Sequence, residues 1–178
     1  MIALIQRVTG ASVRIDGQLV GAIDAGILAL IGVERGDDRA GAERLLQRLL
    51  DYRVFADEAG RMNRCLRDTG GDLLLVPQFT LAADTRSGNR PGFSGAAEPA
   101  LAAPLFEHLL ERARRAHARV AAGTFGAHMQ VALVNDGPVT FWLEAGAGAP
   151  AAGPAAAPGA HGGAHGSPNV SAPRLSKP

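Results

Sequence analysis

Thr80, in the string Pro77-Gln78-Phe79-Thr80-Leu81, is the first side chain whose type could attack a carbonyl. A hydroxyl does so only when a base takes its proton, and no His, Lys or Asp adjoins the string. His108, His117 and His128 share no metal-ligand spacing, so no zinc site is expected from them. A second string, Asn135-Asp136-Gly137-Pro138-Val139-Thr140, reads on its own residues as a hairpin turn, because Gly-Pro marks turns and only ~5% of X-Pro bonds are cis. Arg7 reads as an exposed or ion-paired strand arginine. Arg112, Arg114, Arg115 and Arg119 favour the negative pole of a helix or grip phosphates, and the sequence leaves both readings open.

Length and composition narrow the class. The 178 residues suffice for one domain with a real core and are too few for two comfortable ones. From Ala145 the chain is dominated by Ala, Gly and Pro, with no acidic residue and almost nothing large and apolar, so 145–178 is expected to be a disordered tail that cannot bury enough apolar surface to offset its ordering entropy. That tail holds Arg174 and Lys177, which leaves 16 basic against 17 acidic side chains in residues 1–144. A near-neutral body argues against sequence-blind coating of nucleic acid, while a local arginine cluster could still hold a few phosphates. Cys65 stands alone, which rules out an internal disulfide and a multi-Cys metal site and fits a reducing, cytoplasmic setting. No basic leader with a cleavage site opens the chain, and no apolar run approaches the ~20 residues that span a bilayer.

These residues need elements to position them. Val13-Arg14-Ile15 and Gln18-Leu19-Val20 flank Asp16-Gly17, a strong two-residue hairpin signal. Ile27–Ile31 is a fully apolar run between Gly26 and Gly32 and reads as a buried strand. The period then changes: Ala42, Leu45, Leu46, Leu49 and Leu50 form one stripe of a helix over about Asp38–Asp51. A second helix is predicted over Pro99–Ala118, with Leu101, Leu105, Phe106, Leu109, Leu110 and Ala113 inward. Leu73–Val76 reads as a central strand, and Gln130–Val134 and Val139–Leu143 as two strands around the second string. The expectation is an α+β domain, a curled, barrel-like, largely antiparallel or mixed sheet covered by two main helices. No Gly-rich phosphate loop opens a helix after a strand, so no nucleotide cofactor is expected.

From Met1 to about Glu144 the chain resembles the D-aminoacyl-tRNA deacylase family. The resemblance rests on Pro77-Gln78-Phe79-Thr80-Leu81, Asn135-Asp136-Gly137-Pro138-Val139-Thr140, Ile5-Gln6-Arg7-Val8, Met129-Gln130-Val131 and Phe141-Trp142-Leu143. One position departs: the family usually has Ser where Pro77 stands, so a hydroxyl and a backbone donor are missing.

The resemblance implies a metal-free, cofactor-free homodimeric esterase. It would clear D-amino acids, and mischarged glycine, from tRNA. Gln78, Phe79 and Thr80 would be the catalytic set, their backbone N–H groups stabilising charge on the ester oxygen while the 2′-hydroxyl of the terminal adenosine assists attack. It further implies that Gly137-Pro138 is cis and enters the active site of the other subunit, rejecting L side chains by collision. Arg7 would orient that loop through its carbonyls. Phe125 and Met129 would floor the adenine, or serve simply as core. Expected partners are the aminoacylated 3′ end of tRNA and a second copy, with no membrane and no DNA. Two other readings stand beside it: a noncatalytic RNA-binding module whose pocket Pro77 has damaged, and a hydrolase of other small esters.

Overall fold

The computed structural model describes residues 1–146. Strand β1 (Ile2–Ile15) turns at Asp16-Gly17 into β2 (Gln18–Ile23), with Ile15 opposite Gln18. Both turn residues take positive φ, 49° and 79°, as the Asp-Gly signal requires. After β3 (Gly26–Gly32), Asp38 caps helix α1 (Arg39–Asp51) by accepting the Gly41 N–H at 2.7 Å. A small hairpin, β4 (Phe55–Ala56) and β5 (Met62–Arg64), leads through the one-turn helix α2 (Leu66–Thr69) to β6 (Asp72–Pro77). A 3₁₀ turn (Phe79–Ala82) and a long loop precede α3 (Pro99–Ala116), β7 (Val120–Ala122) and β8 (Gln130–Glu144).

The sheet is mixed. Its order is β2-β1-β3-β6-β7, with β8 on the other edge of β1. β3, β6 and β7 run parallel, while β1 is antiparallel to β2, β3 and β8. One edge of β1 serves β3 over Ile2–Val8 and then β2 over Ala11–Ile15, so the sheet must curl along it. The curl brings β2 against β7: a β-carbon on Gly21 would lie 2.8 Å from the Ala122 carbonyl oxygen. The result is a nearly closed barrel.

Because β3 and β6 are covered on both faces, their sequences are continuous apolar runs rather than alternating ones. Leu28, Leu74 and Val76 point into the barrel with Val8 and Val13, whereas Ile27, Ala29, Ile31, Leu73 and Leu75 meet the stripes of α1 and α3. β3 and β6 approach so closely at their start that a β-carbon on Gly26 would sit 2.0 Å from the Asp72 carbonyl oxygen. The Asp72 carboxylate ties this end together, accepting the Asp24 N–H at 3.0 Å and lying 2.6 Å from Arg119 Nε.

Two expectations change. The strands expected on either side of the second string are a single strand: both halves of β8 pair with β1, so Gly137-Pro138 is not a hairpin turn. The ordered domain also runs past Glu144, since Ala145 is buried and donates its N–H to the Met1 carbonyl at 2.9 Å, and the Gly146 carbonyl accepts from Arg44 Nη2. Residues 147–178 of the expected tail lie outside the described residues. No helix among the described residues is long and apolar enough to cross a membrane.

Candidate active site

Strand β6 ends where its parallel partner β3 ends, with Pro77 opposite Ile31. The Gln78 N–H donates to the Ile31 carbonyl at 2.7 Å, and the chain then tightens into the 3₁₀ turn. The first donors of such a turn have no acceptor inside it. Within the turn Leu81 N–H reaches Gln78 O at 3.3 Å, whereas the N–H groups of Phe79 and Thr80 meet no protein acceptor among the described residues. Two adjacent backbone donors are thus left at the end of a central strand.

Phe79 lines a cavity of about 650 Å³, and Thr80 follows it in the chain just outside that lining. Its walls come from the ends of β3 and β6 (Ile31, Val33, Val76, Pro77), from Gln78 and Phe79, from the loop and start of α3 (Phe93, Ala96–Pro99, Ala102, Phe106), and from Phe125–Met129 with Val131. The lining is apolar apart from Gln78, Glu98 and His128. Phe79 is 59% exposed and packs against Phe93 with ring centroids 5.1 Å apart. Phe125 packs on Phe106 at 6.5 Å. Met129 Sδ accepts the Thr124 N–H at 3.3 Å, and a β-carbon on Gly123 would be 2.7 Å from that sulfur. Both expected floor residues therefore line the cavity and also belong to the core.

Thr80 is exposed, and its Oγ1 accepts a hydrogen bond from the Gln78 amide. That partner is a donor, and it cannot take a proton from the hydroxyl. His128 is an exposed wall residue, while His108 faces Glu43 at 3.2 Å and His117 faces the Gly71 carbonyl at 2.6 Å. No group of three metal-ligating side chains occurs among the described residues. The helix-end arginines are largely paired within the protein: Arg112 with Glu43, Arg115 with Glu111 and Arg119 with Asp72.

Pro77 fits where it stands. Gln78 N–H points to β3 and Leu75 O accepts from Gly123 on the β7 side, so by strand alternation the donor that Pro77 lacks would point towards β7. Pairing with β7 stops at Leu75 opposite Ala122, one step short. The ladder ends where Pro77 has no donor to continue it, and the ring packs with Cδ 3.5 Å from the position of a Gly123 β-carbon.

The second string lies elsewhere on the same protomer. Gln6 pairs with Thr140 and Val8 with Asn135, so Asp136–Val139 bulge out opposite the single residue Arg7. Asn135 staples the base of the bulge, its amide donating to Thr140 Oγ1 at 2.9 Å and its oxygen accepting the Val139 N–H at 3.2 Å. Arg7 Nε lies 2.9 Å from the Asp136 carboxylate in an unaligned ion pair, the atom making no aligned hydrogen bond, and Nη1 donates to the Val54 carbonyl at 2.6 Å. Arg7 thus steadies the bulge through a carboxylate and not through the loop's carbonyls. The staple residues Asn135, Asp136 and Thr140 were within the string, but nothing in their order showed that they close a bulge.

The expected cis bond is corrected. The described residues contain no cis peptide bond, and Gly137-Pro138 is trans with Gly137 at φ 115°. Trans is the ground state of an X-Pro bond by about 0.5–1 kcal/mol, and the four-residue bulge with glycine's positive φ absorbs the change of direction. Gly137, Pro138 and Arg7 are also absent from the lining of the cavity that holds Gln78, Phe79, Phe125 and Met129. One protomer keeps the two strings apart.

The family model described as D-Tyr-tRNA(Tyr) deacylase matches residues 4–144. A D-aminoacyl-tRNA deacylase of Thioalkalivibrio sulfidiphilus is 68% identical over 144 residues, 81% of this chain and 97% of that protein. One of Stutzerimonas stutzeri is 64% identical over 145 residues, 82% of this chain and all of its own length. Among solved structures, one named c-Myc DNA Unwinding Element Binding Protein matches with a TM-score of 0.79 at 38% identity, covering 83% of this chain and all of that one. A probable eukaryotic D-amino acid tRNA deacylase shares the fold, with a TM-score of 0.70 at 16% identity over 80% of this chain and 98% of its own. A curled mixed sheet with two outer helices, a cavity at the end of β6 and these matches over four-fifths of the sequence place the chain in the D-Tyr-tRNA(Tyr) deacylase family.

Proposed function

We propose that this protein hydrolyses the ester of D-aminoacyl-tRNA in the cavity at the end of β6, as its relatives' names suggest. The observation that carries the reading is the unclaimed N–H of Phe79 in the wall of an apolar cavity, with the equally unclaimed N–H of Thr80 next to it in the chain. Backbone donors fixed in place can hold the negative charge that develops on an ester oxygen. Thr80 has no base beside it, so the nucleophile is water, assisted by the 2′-hydroxyl of the terminal adenosine, which sits over Phe125 and Met129.

Selection between mirror images needs a wall, and we infer that a second copy supplies it. The Gly137-Pro138 bulge is exposed and removed from its own cavity, and among the described residues β8 pairs on one edge only. Docked across a two-fold axis, the bulge of one copy would close the cavity of the other. With the ester held by the backbone donors, a side chain of L configuration would strike the bulge. Each ~1.4 kcal/mol of clash rejects the wrong hand another tenfold. Glycyl-tRNA, with no side chain, would be hydrolysed. The work would take place in the cytoplasm, where tRNA is charged, and the near-neutral domain gives no general reason to bind DNA.

The test is deacylation of D-tyrosyl-tRNA by the purified protein, with L-tyrosyl-tRNA, glycyl-tRNA and a 2′-deoxyadenosine-ended substrate in parallel. The D and glycyl esters should turn over and the other two should not. A Thr80→Ala variant should keep much of its activity. If D-tyrosyl-tRNA is bound but not cleaved, the chain is a binding module of the same fold and the catalytic reading fails.

A further inference from the structure

Among the described residues, the cavity that would receive the 3′ end of a polyanion has no lysine or arginine in its lining, and its one charged wall residue is Glu98. A nucleotide entering there brings phosphodiester charge towards a carboxylate. Three arginines lie on segments that border the cavity. Arg86 is committed, with Nε 2.9 Å and Nη2 2.7 Å from the two oxygens of Asp84. Arg90 is exposed on the loop, and no hydrogen bond fixes its side chain among the described residues. Arg35 differs from both. Its backbone N–H donates to Gly95 O at 3.0 Å, its Nε to Ala96 O at 3.4 Å, and Ala97 N–H returns to Val33 O at 3.0 Å, so the residue is pinned to the cavity wall. Its side chain nevertheless stays 63% exposed, with Nη2 3.6 Å from the carboxylate of Glu98, whose side chain is 78% exposed. The neighbouring Glu34 carboxylate lies 3.5 Å from the Met1 amine. An ion pair this exposed is worth little, and it leaves most of the guanidinium edge available for a planar, bidentate anion.

We propose that Arg35 is the phosphate-binding residue for the single-stranded 3′ end of the tRNA, and that Glu98 holds the guanidinium at the cavity mouth until a phosphodiester displaces it. This rests on the deacylase reading above. Arg35 is a positioning residue, since the ester itself would lie at Phe79 and Thr80.

The experiment compares the whole protein with Arg35→Gln, Arg35→Lys and Glu98→Gln, using D-tyrosyl-tRNA and 3′-O-D-tyrosyl-adenosine, which carries the same ester and no phosphate. Binding of uncharged tRNA is followed against salt. One single-strand contact contributes about 0.7 to the log–log salt slope and about fivefold in affinity at 0.1 M salt. Arg35→Gln should therefore weaken tRNA binding about fivefold and flatten the slope by about 0.7, while cleavage of the adenosine ester is unchanged. Arg35→Lys should restore most of the slope, and Glu98→Gln should tighten tRNA binding. An unchanged slope in Arg35→Gln, or an equal loss on the adenosine ester, would overturn the assignment. If the unaltered protein cleaves neither ester, the deacylase reading fails first and this inference falls with it.

Discussion

Gly137→Ala probes the bulge from both sides of the argument. At φ 115° a β-carbon would lie 2.8 Å from Arg7 Nη2 and 2.9 Å from Val139 Cγ2. The arginine tip can move; the Val139 methyl is held because its residue is stapled by Asn135. A non-glycine residue at this φ costs on the order of 1–3 kcal/mol. For a domain of this size about 1 kcal/mol moves Tm by roughly 2–4 °C, so the variant should melt about 2–12 °C lower by calorimetry or near-ultraviolet dichroism. Adding Val139→Ala should recover only part of the loss, because the backbone strain remains. In the deacylation assay the shifted bulge should reject L-tyrosyl-tRNA less well, while D-tyrosyl-tRNA cleavage falls by less. An unchanged melting temperature with unchanged rejection of the L ester would show that the bulge relaxes freely and is not the wall.

Other substitutions test the frame. Gly26→Ala would push a β-carbon into the Asp72 backbone and should cost about 3–5 kcal/mol or prevent soluble expression, as overpacked backbone contacts do; a melting curve within 2 °C of the parent would contradict the close strand approach. Pro77→Ser gains a donor that faces Gly123 just past the last β7 pair, so thermal stability should change by less than about 1 kcal/mol, and a turnover change beyond about threefold would show that residue 77 enters the chemistry. The Arg86 guanidinium holds the Asp84 carboxyl well below its ordinary value of 3.8. A depressed folded-state value means that this pair contributes above pH 3.8 and is lost only as pH falls further; carbon NMR of Asp84 should titrate below 3.8, and Arg86→Ala should raise it only part of the way, because the backbone N–H of residue 86 still donates to the carboxylate at 3.1 Å.

Much of the scaffold could be read from the chain because local chemistry and tertiary packing agree. Asp16-Gly17, the α1 stripe after Asp38, and the apolar runs of β3 and β6 each specify one structure. The expected end of the second helix, Ala118, lies two residues beyond the observed Ala116, a fraying-scale difference. The bulge was illegible for a physical reason. Gly-Pro signals a change of chain direction, and whether the flanking strands then pair with each other or both with a third is decided by β1, about 130 residues away in sequence. Gln78, Phe79, Phe125 and Met129 do meet in one cavity. Phe93 and Ala96–Glu98, which complete its wall, sit in a loop with no periodicity, so only the isolated pairing of Glu34 with Ala96 in three dimensions reveals them. Ala145 was assigned to the tail on composition, yet a small residue is what fits beside Met1.

The shared strand β1 has a metric consequence. Ala3 lies opposite Ile31, whose carbonyl anchors Gln78, and Arg7 on the same strand steadies the Gly137-Pro138 bulge. Four residues at about 3.3 Å each make that stretch a ruler of roughly 13 Å, graduated in whole residues. Inserting or deleting one residue between Ala3 and Arg7 would flip every later side chain of β1 to the opposite face and mis-space both strings at once, so this strand does not tolerate a change of length.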